Sequence, residues 1–212
     1  MTVNAPIDIM NIASVILGQR SGTSPSENTK NTQFANDRYE SIRDMVLTQG
    51  LWNCATTRAQ LAVLSTSPPF GFSNQYQLPS DFLRFKRFDT QTFDIPFAIE
   101  AVSNGDGTAT RVLLTDNGSA NILYVFRLTE VAKMDELLKY AIGARLAQEI
   151  ALGVKGDLRQ AGFAKNLADE AMSEAQFIDA NQASTEVMQA TGWVNSRVTG
   201  GTLTDLRPFA AI

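Results

Sequence analysis

Apolar positions run through this chain in two rhythms, one helical and one alternating, and the places where the rhythm changes divide it. In 7–17, Ile7, Met10, Ser14 and Leu17 share one face with Ile9, Ile12 and Ile16 close beside them, which predicts a short helix with a broad apolar stripe. Pro6 suits its first turn, where no backbone donor is needed. Residues 18–31 are rich in Ser, Thr, Asn and Gly and contain Pro25, so they predict a loop ending in helix-capping chemistry. Over 31–49, Ala35, Tyr39, Ile42 and Val46 recur at helical spacing, and Gly50 supplies a stop.

Beyond Trp52 the pattern is ambiguous. Residues 53–64 carry the Ala and Leu of a helix and the Thr and partial alternation of a strand; the strand reading is favoured. Pro68, Pro69 and Gly71 then break the chain. Residues 76–88 alternate at Leu83, Phe85 and, after two cations, Phe88. Residues 93–102, 111–115 and 121–128 are short aromatic or β-branched runs separated by turn signals at 104–107 and 116–118. The middle of the chain therefore predicts a small antiparallel β region.

Helical spacing returns with Met134, Leu138, Ile142, Leu146 and Ile150. After Gly153 and Gly156, a further helix places Ala161, Ala164, Ala168, Ala171, Ala175 and Ile178 at alternating steps of three and four. Such a small-residue seam lets two backbones approach closely, in a bundle or at a subunit contact. Past Ala180 the sequence is polar and Gly-rich, yet Trp193, Leu203, Leu206, Phe209 and Ile212 punctuate it. That tail has too little apolar surface for a core of its own, which predicts that it orders against something else. The fold class expected is α+β: a helical bundle from 1–51 and 130–181, an inserted antiparallel β domain over 52–129, and an extended tail over 182–212.

Composition narrows the chemistry. The 212 residues include 18 Lys and Arg against 22 Asp and Glu, a net charge of −4 with no histidine, so no global positive field draws nucleic acid to the free subunit. Without histidine, Ser-His-Asp and Cys-His catalysis are excluded. Cys54 is the single cysteine, which rules out an intrachain disulfide. No basic leader precedes an apolar run and no stretch reaches the roughly 18 residues of a membrane span, so synthesis in a cytoplasm is expected.

Among acid-base groups, Asp81, Asp89, Asp94 and Glu100 fall in the β region where a glycosidase pair could sit, although scattered acids on solvated strands are the commoner case. Asn104 to Gly107 superficially suggests a calcium loop but lacks the further ligands, so a hairpin turn is expected. No phosphate-binding glycine motif is present. Arg84, Lys86 and Arg87 interleave with Phe82, Phe85 and Phe88 as in single-strand binders; a strand with one buried and one solvated face gives the same pattern and is favoured. Trp52 is expected in the core, whereas Trp193 is read equally as an anchor for another segment or subunit and as a residue folded back on its own chain.

Taken in order, these segments resemble the tail tubular protein A family of podoviruses and related phage head-to-tail adaptors. The resemblance rests on the helix ending in RDMVL, then GLWNCATTRAQLA, a Pro break and YQLPSDFLRF. Two Ala-rich helices, FIDANQAS and the Trp and Arg of GWVNSR follow. It spans about 7–197, with 19–30 longer than the family connection and no family counterpart after Arg197.

The resemblance implies a structural, non-enzymatic subunit of a virion head-tail junction, without cofactor or metal. It implies about twelve copies ringed between portal and tail tube or nozzle, with DNA passing through the channel unbound. A ring closed by rotation uses heterologous interfaces, and the alanine seam, Trp193 and Phe209 are the candidate contacts. A net acidic ring, about −48 for about twelve copies at −4 each, keeps a polyanion from sticking. The alternatives are a tail-associated polysaccharide-degrading enzyme using the β-region carboxylates, and a helical binding module unrelated to virions.

Overall fold

The computed structural model describes residues 5–19, 21–22, 30–89 and 95–182. Trp193, Phe209 and the rest of the tail from 183 onward lie outside them, as does Asp94. Among the described residues, four α-helices and two three-stranded antiparallel sheets make a mixed α+β fold. Helices α1 (Pro6–Ile16) and α2 (Lys30–Gln49) precede the strands, and α3 (Glu136–Ile150) and α4 (Leu158–Gln182) follow them.

α1 starts where Pro6 needs no hydrogen bond and Asp8 accepts the Ala5 amide at 3.0 Å. Its buried Ile9, Met10 and Ala13 face α3, and the approach is close because position 143 is glycine. A Cβ there would lie 2.7 Å from Ile12 Cγ2. On α2 the predicted row Ala35, Tyr39, Ile42 and Val46 is buried. The helix ends at Gln49, but Gly50 does not adopt the left-handed conformation of a C-terminal cap. It makes room instead: a Cβ at 50 would stand 2.6 Å from the indole of Trp52.

That indole is 1% exposed and donates Nε1–H to the Val46 carbonyl at 2.9 Å, so Trp52 is a core residue that folds the chain back under α2. A 3₁₀ turn (Asn53–Ala55) then leads into β1 (Thr56–Leu61), which makes the ambiguous segment a strand. The other strands are β2 (Asn74–Gln77), β3 (Phe82–Phe88), β4 (Phe97–Ser103), β5 (Ala109–Thr115) and β6 (Ala120–Phe126). One sheet has the order β1-β6-β3, the other β2-β5-β4.

The turn at 104–107 is the β4-β5 hairpin, with Gly105 and Gly107 at φ 83° and 86°. Asp106 accepts from the Thr108 amide and hydroxyl, and these bonds hold its carboxyl below its ordinary pKa. The turn at 116–118 instead carries the chain from one sheet to the other. A bridge between Val63 and Tyr76 joins the sheets near β1 and β2, where strand direction passes from one sheet to the next.

β3 explains the irregular spacing of its aromatics. Its register against β6 slips twice, between Phe82 and Arg84 and between Phe85 and Arg87. Phe82, Phe85 and Phe88 consequently oppose Phe126, Tyr124 and Ile122, alternate residues of β6, and all three point to one face. There they meet Leu61, Tyr76 and Leu113 in a β core separate from the helical core of Ile9, Ile42, Trp52, Leu138, Ile142 and Leu146. β6 serves both: Ile122 and Tyr124 face the β core, Val125 lies in the helical core, and Phe126 touches each. This double burial accounts for its almost unbroken apolar sequence.

α3 does not stop at Ile150. One π-helical turn (Ala151–Lys155) extends it past Gly153, whose missing side chain admits the ring of Phe34, and Gly156 at φ 64° ends it. α4 then begins, capped by Asp157, whose carboxylate accepts the amides of Arg159 and Gln160.

Candidate functional site

Ala161, Ala164, Ala168, Ala171 and Ala175 are all at most 5% exposed, buried within the chain on the inner face of α4. Arg145 of α3 reaches Asp169 of α4 at 3.3 Å beside them. What α4 offers to solvent is its opposite flank. Phe163 and Phe177 are 58% and 69% exposed, two heptads apart on the helix surface, with the exposed Glu170 midway between them. That spacing was present in the sequence, but the alanine seam drew attention to the other side.

The cations of β3 have structural partners. Arg84 donates to the carbonyls of Thr48 and Gln49 at 3.2 and 3.1 Å, closing the C-terminal end of α2, where a cation also suits the helix dipole. Lys86 donates to the Asn53 side chain at 3.3 Å. Arg127, just past β6, pairs at 2.7 Å with Asp44, which also holds the buried Arg43 at 2.8 Å. These contacts fasten the β region onto the end of α2.

Pairing adds a feature that linear sequence hid. Arg58 of β1 and Arg87 of β3 both oppose Leu123 of β6, so two guanidinium groups flank one buried leucine on the face turned away from the β core. Beside them a shallow open groove of about 210 Å³ is lined by Arg58, Gln60, Asp89, Asn121 and Leu123 among others. Small-molecule sites typically enclose about 300–1,000 Å³, and this groove falls below that range.

Among the described residues the candidate carboxylates do not converge. The Asp81 carbonyl accepts the Arg127 amide and the Asp89 amide donates to Asn121, which sets the two aspartates six residues apart along β6. That is roughly 20 Å, against the about 5–9.5 Å of a glycosidase pair. Glu100 is exposed on β4 in the other sheet. Asp81 has a structural partner in Tyr124, whose hydroxyl donates to it at 3.1 Å. Burial, reinforced by that carboxylate, pushes the Tyr124 phenol up to about 12.

Among the described residues no three His, Cys, Asp or Glu side chains are grouped to hold a metal ion, and no helix is long and apolar enough to cross a membrane. No protein-family model matches the chain, and no curated protein matches it.

Proposed function

We propose that this chain is a structural head-to-tail adaptor of a tailed bacteriophage, one of about twelve copies ringed between portal and tail tube or nozzle. The observation that carries the reading is the architecture. Helices before and after the strands share one core, and the strands, with a second hydrophobic cluster, lie between the second and third helices, an element order compatible with the one the sequence resemblance implies. Exposed Phe163 and Phe177 on the outer flank of α4 are compatible with a protein that assembles.

In this role the protein performs no turnover. It seals the joint and leaves a passage through a ring of net acidic subunits, −4 per copy, whose like charge keeps packaged DNA from sticking so that the DNA slides. The test is negative-stain imaging and antibody labelling of virions, alongside co-expression with the portal protein of the same phage. Ring-shaped particles with label at the head-tail junction are expected; a chain that joins neither a ring nor a virion would remove the adaptor reading.

A further inference from the structure

We infer that the turn between β5 and β6 is a self-modifying site, where Asn117 loses its side-chain ammonia through a cyclic imide formed with Gly118, while the same dipeptide at Asn104 and Gly105 is held back. An asparagine before a glycine can close on itself, because no side chain shields the glycine nitrogen that attacks. The chain holds two such pairs, each in a turn of the β region. Their surroundings differ.

At Asn104 both reacting groups are engaged. Its side-chain amide donates to Thr108 Oγ1 at 2.8 Å and its Oδ1 accepts the Thr110 hydroxyl at 3.2 Å, which tethers the side chain at both atoms. The Gly105 amide, the attacking group, donates to Ser103 Oγ at 3.4 Å. Cyclisation there must first break these bonds.

At Asn117 the reverse holds. Among the described residues neither its side chain nor the Gly118 amide has a hydrogen-bond partner, and Gly118 is exposed to water. What is held is the peptide group between them. The Asn117 carbonyl accepts the Tyr76 hydroxyl at 2.7 Å and the Asn74 side-chain amide at 3.3 Å. When the Gly118 nitrogen loses its proton, negative charge spreads onto that oxygen, and two donors already in place stabilise it. Burial raises the Tyr76 phenol above its ordinary pKa, so it remains a donor in mild alkali.

The reaction needs no partner but water. The proton of the Gly118 amide goes to solvent base, the nitrogen bonds to Asn117 Cγ, and the bond from Cγ to Nδ2 breaks, releasing ammonia with a proton taken from water. Water then opens the imide. Cleavage at Cγ leaves aspartate at position 117, whereas cleavage at the backbone carbonyl leaves isoaspartate, with an added main-chain carbon where the chain crosses between the sheets. Either product adds one negative charge to the −4 of the chain.

Peptide mapping by mass spectrometry tests this on the full chain, incubated folded in mild alkali. Aspartate and isoaspartate are expected at position 117 well before position 104. Tyr76→Phe keeps the buried ring but removes the closer donor, and should slow conversion at 117 at least about tenfold. Gly118→Ala adds a methyl that meets no atom within 4 Å, so the fold is kept while the attacking nitrogen is crowded. It should slow position 117 and leave 104 unchanged. Circular dichroism melting checks that each variant stays folded during incubation. No conversion at 117, equal rates at 104 and 117, a folded Tyr76→Phe chain that reacts as fast as wild type, or indifference to Gly118→Ala would each overturn the inference.

Discussion

The helical core and the β core solve the same packing problem with opposite materials. Between the helices, small residues bring backbones together: glycine at 143 lies against Ile12, glycine at 153 against Phe34, and a stripe of alanines lines α4. Between the sheets, large rings fill the space, with Phe82 stacked on Tyr124 at 5.5 Å and Phe85, Phe88 and Phe97 in mutual contact. Close backbones leave no slack for added atoms. Ring clusters instead depend on register, because one slipped residue turns an aromatic to the other face.

If the cores are joined at the end of α2, the largest effect belongs to Trp52. Replacing it with Ala should cost about 3–5 kcal/mol in urea denaturation, through lost burial and a cavity at the point where the chain enters the sheets. Trp52→Phe keeps much of the ring but leaves the Val46 carbonyl with only the long 3.4 Å bond from the Gly50 amide, and should cost about 1–3 kcal/mol. Equal losses for the two would show that the hydrogen bond, not the packing, governs the junction.

The contrast between the cores also explains what could be read in advance. Helix spacing survives in sequence because i, i+3 and i+4 neighbours are fixed by the chain, so the rows of α2 and α3 were visible residue by residue. β3 was less legible, since Phe82, Phe85 and Phe88 are each three apart and only two register slips, set by pairing with β6, align them. The meeting of Arg58 and Arg87 across Leu123 lies in that pairing too. Gly50 reads in the sequence as a stop and Gly153 as part of a break before the next helix, yet each makes room for a ring, Trp52 in one case and Phe34 in the other. A glycine's reason for being small is a neighbour that local sequence does not name.

Alkali should separate the cores further. An unfolded tyrosine loses its proton near pH 10, whereas Tyr124 in the β core holds its own to about 12. The raised folded value means its stabilising share is intact below pH 10 and is lost as pH rises toward 12, a total of about 2–3 kcal/mol. The stability difference between wild type and Tyr124→Phe should therefore shrink by that amount across this window. Tyr39 and Tyr76 are raised by burial as well and remain in both proteins, so the comparison isolates Tyr124. A constant difference from pH 9 to 12 would mean that the phenol is not held by burial and Asp81.

The smallest effects give the sharpest test, because one substitution made in two helices should change sign. Alanine for glycine inside a helix is worth up to about 1 kcal/mol when the new methyl meets nothing. At Gly162 of α4 no atom lies within 4 Å of the added Cβ, so Gly162→Ala should raise the melting temperature. At Gly143 of α3 the same methyl would stand 2.7 and 2.9 Å from Ile12 Cγ2 and Cβ and 3.3 Å from the Ile9 carbonyl. A β-branched side chain has little rotamer freedom, so α1 must back away, at about 1–3 kcal/mol. The strain exceeds the propensity gain, and Gly143→Ala should lower the melting temperature. Two stabilising outcomes would mean that α1 and α3 are not held as close as their geometry requires.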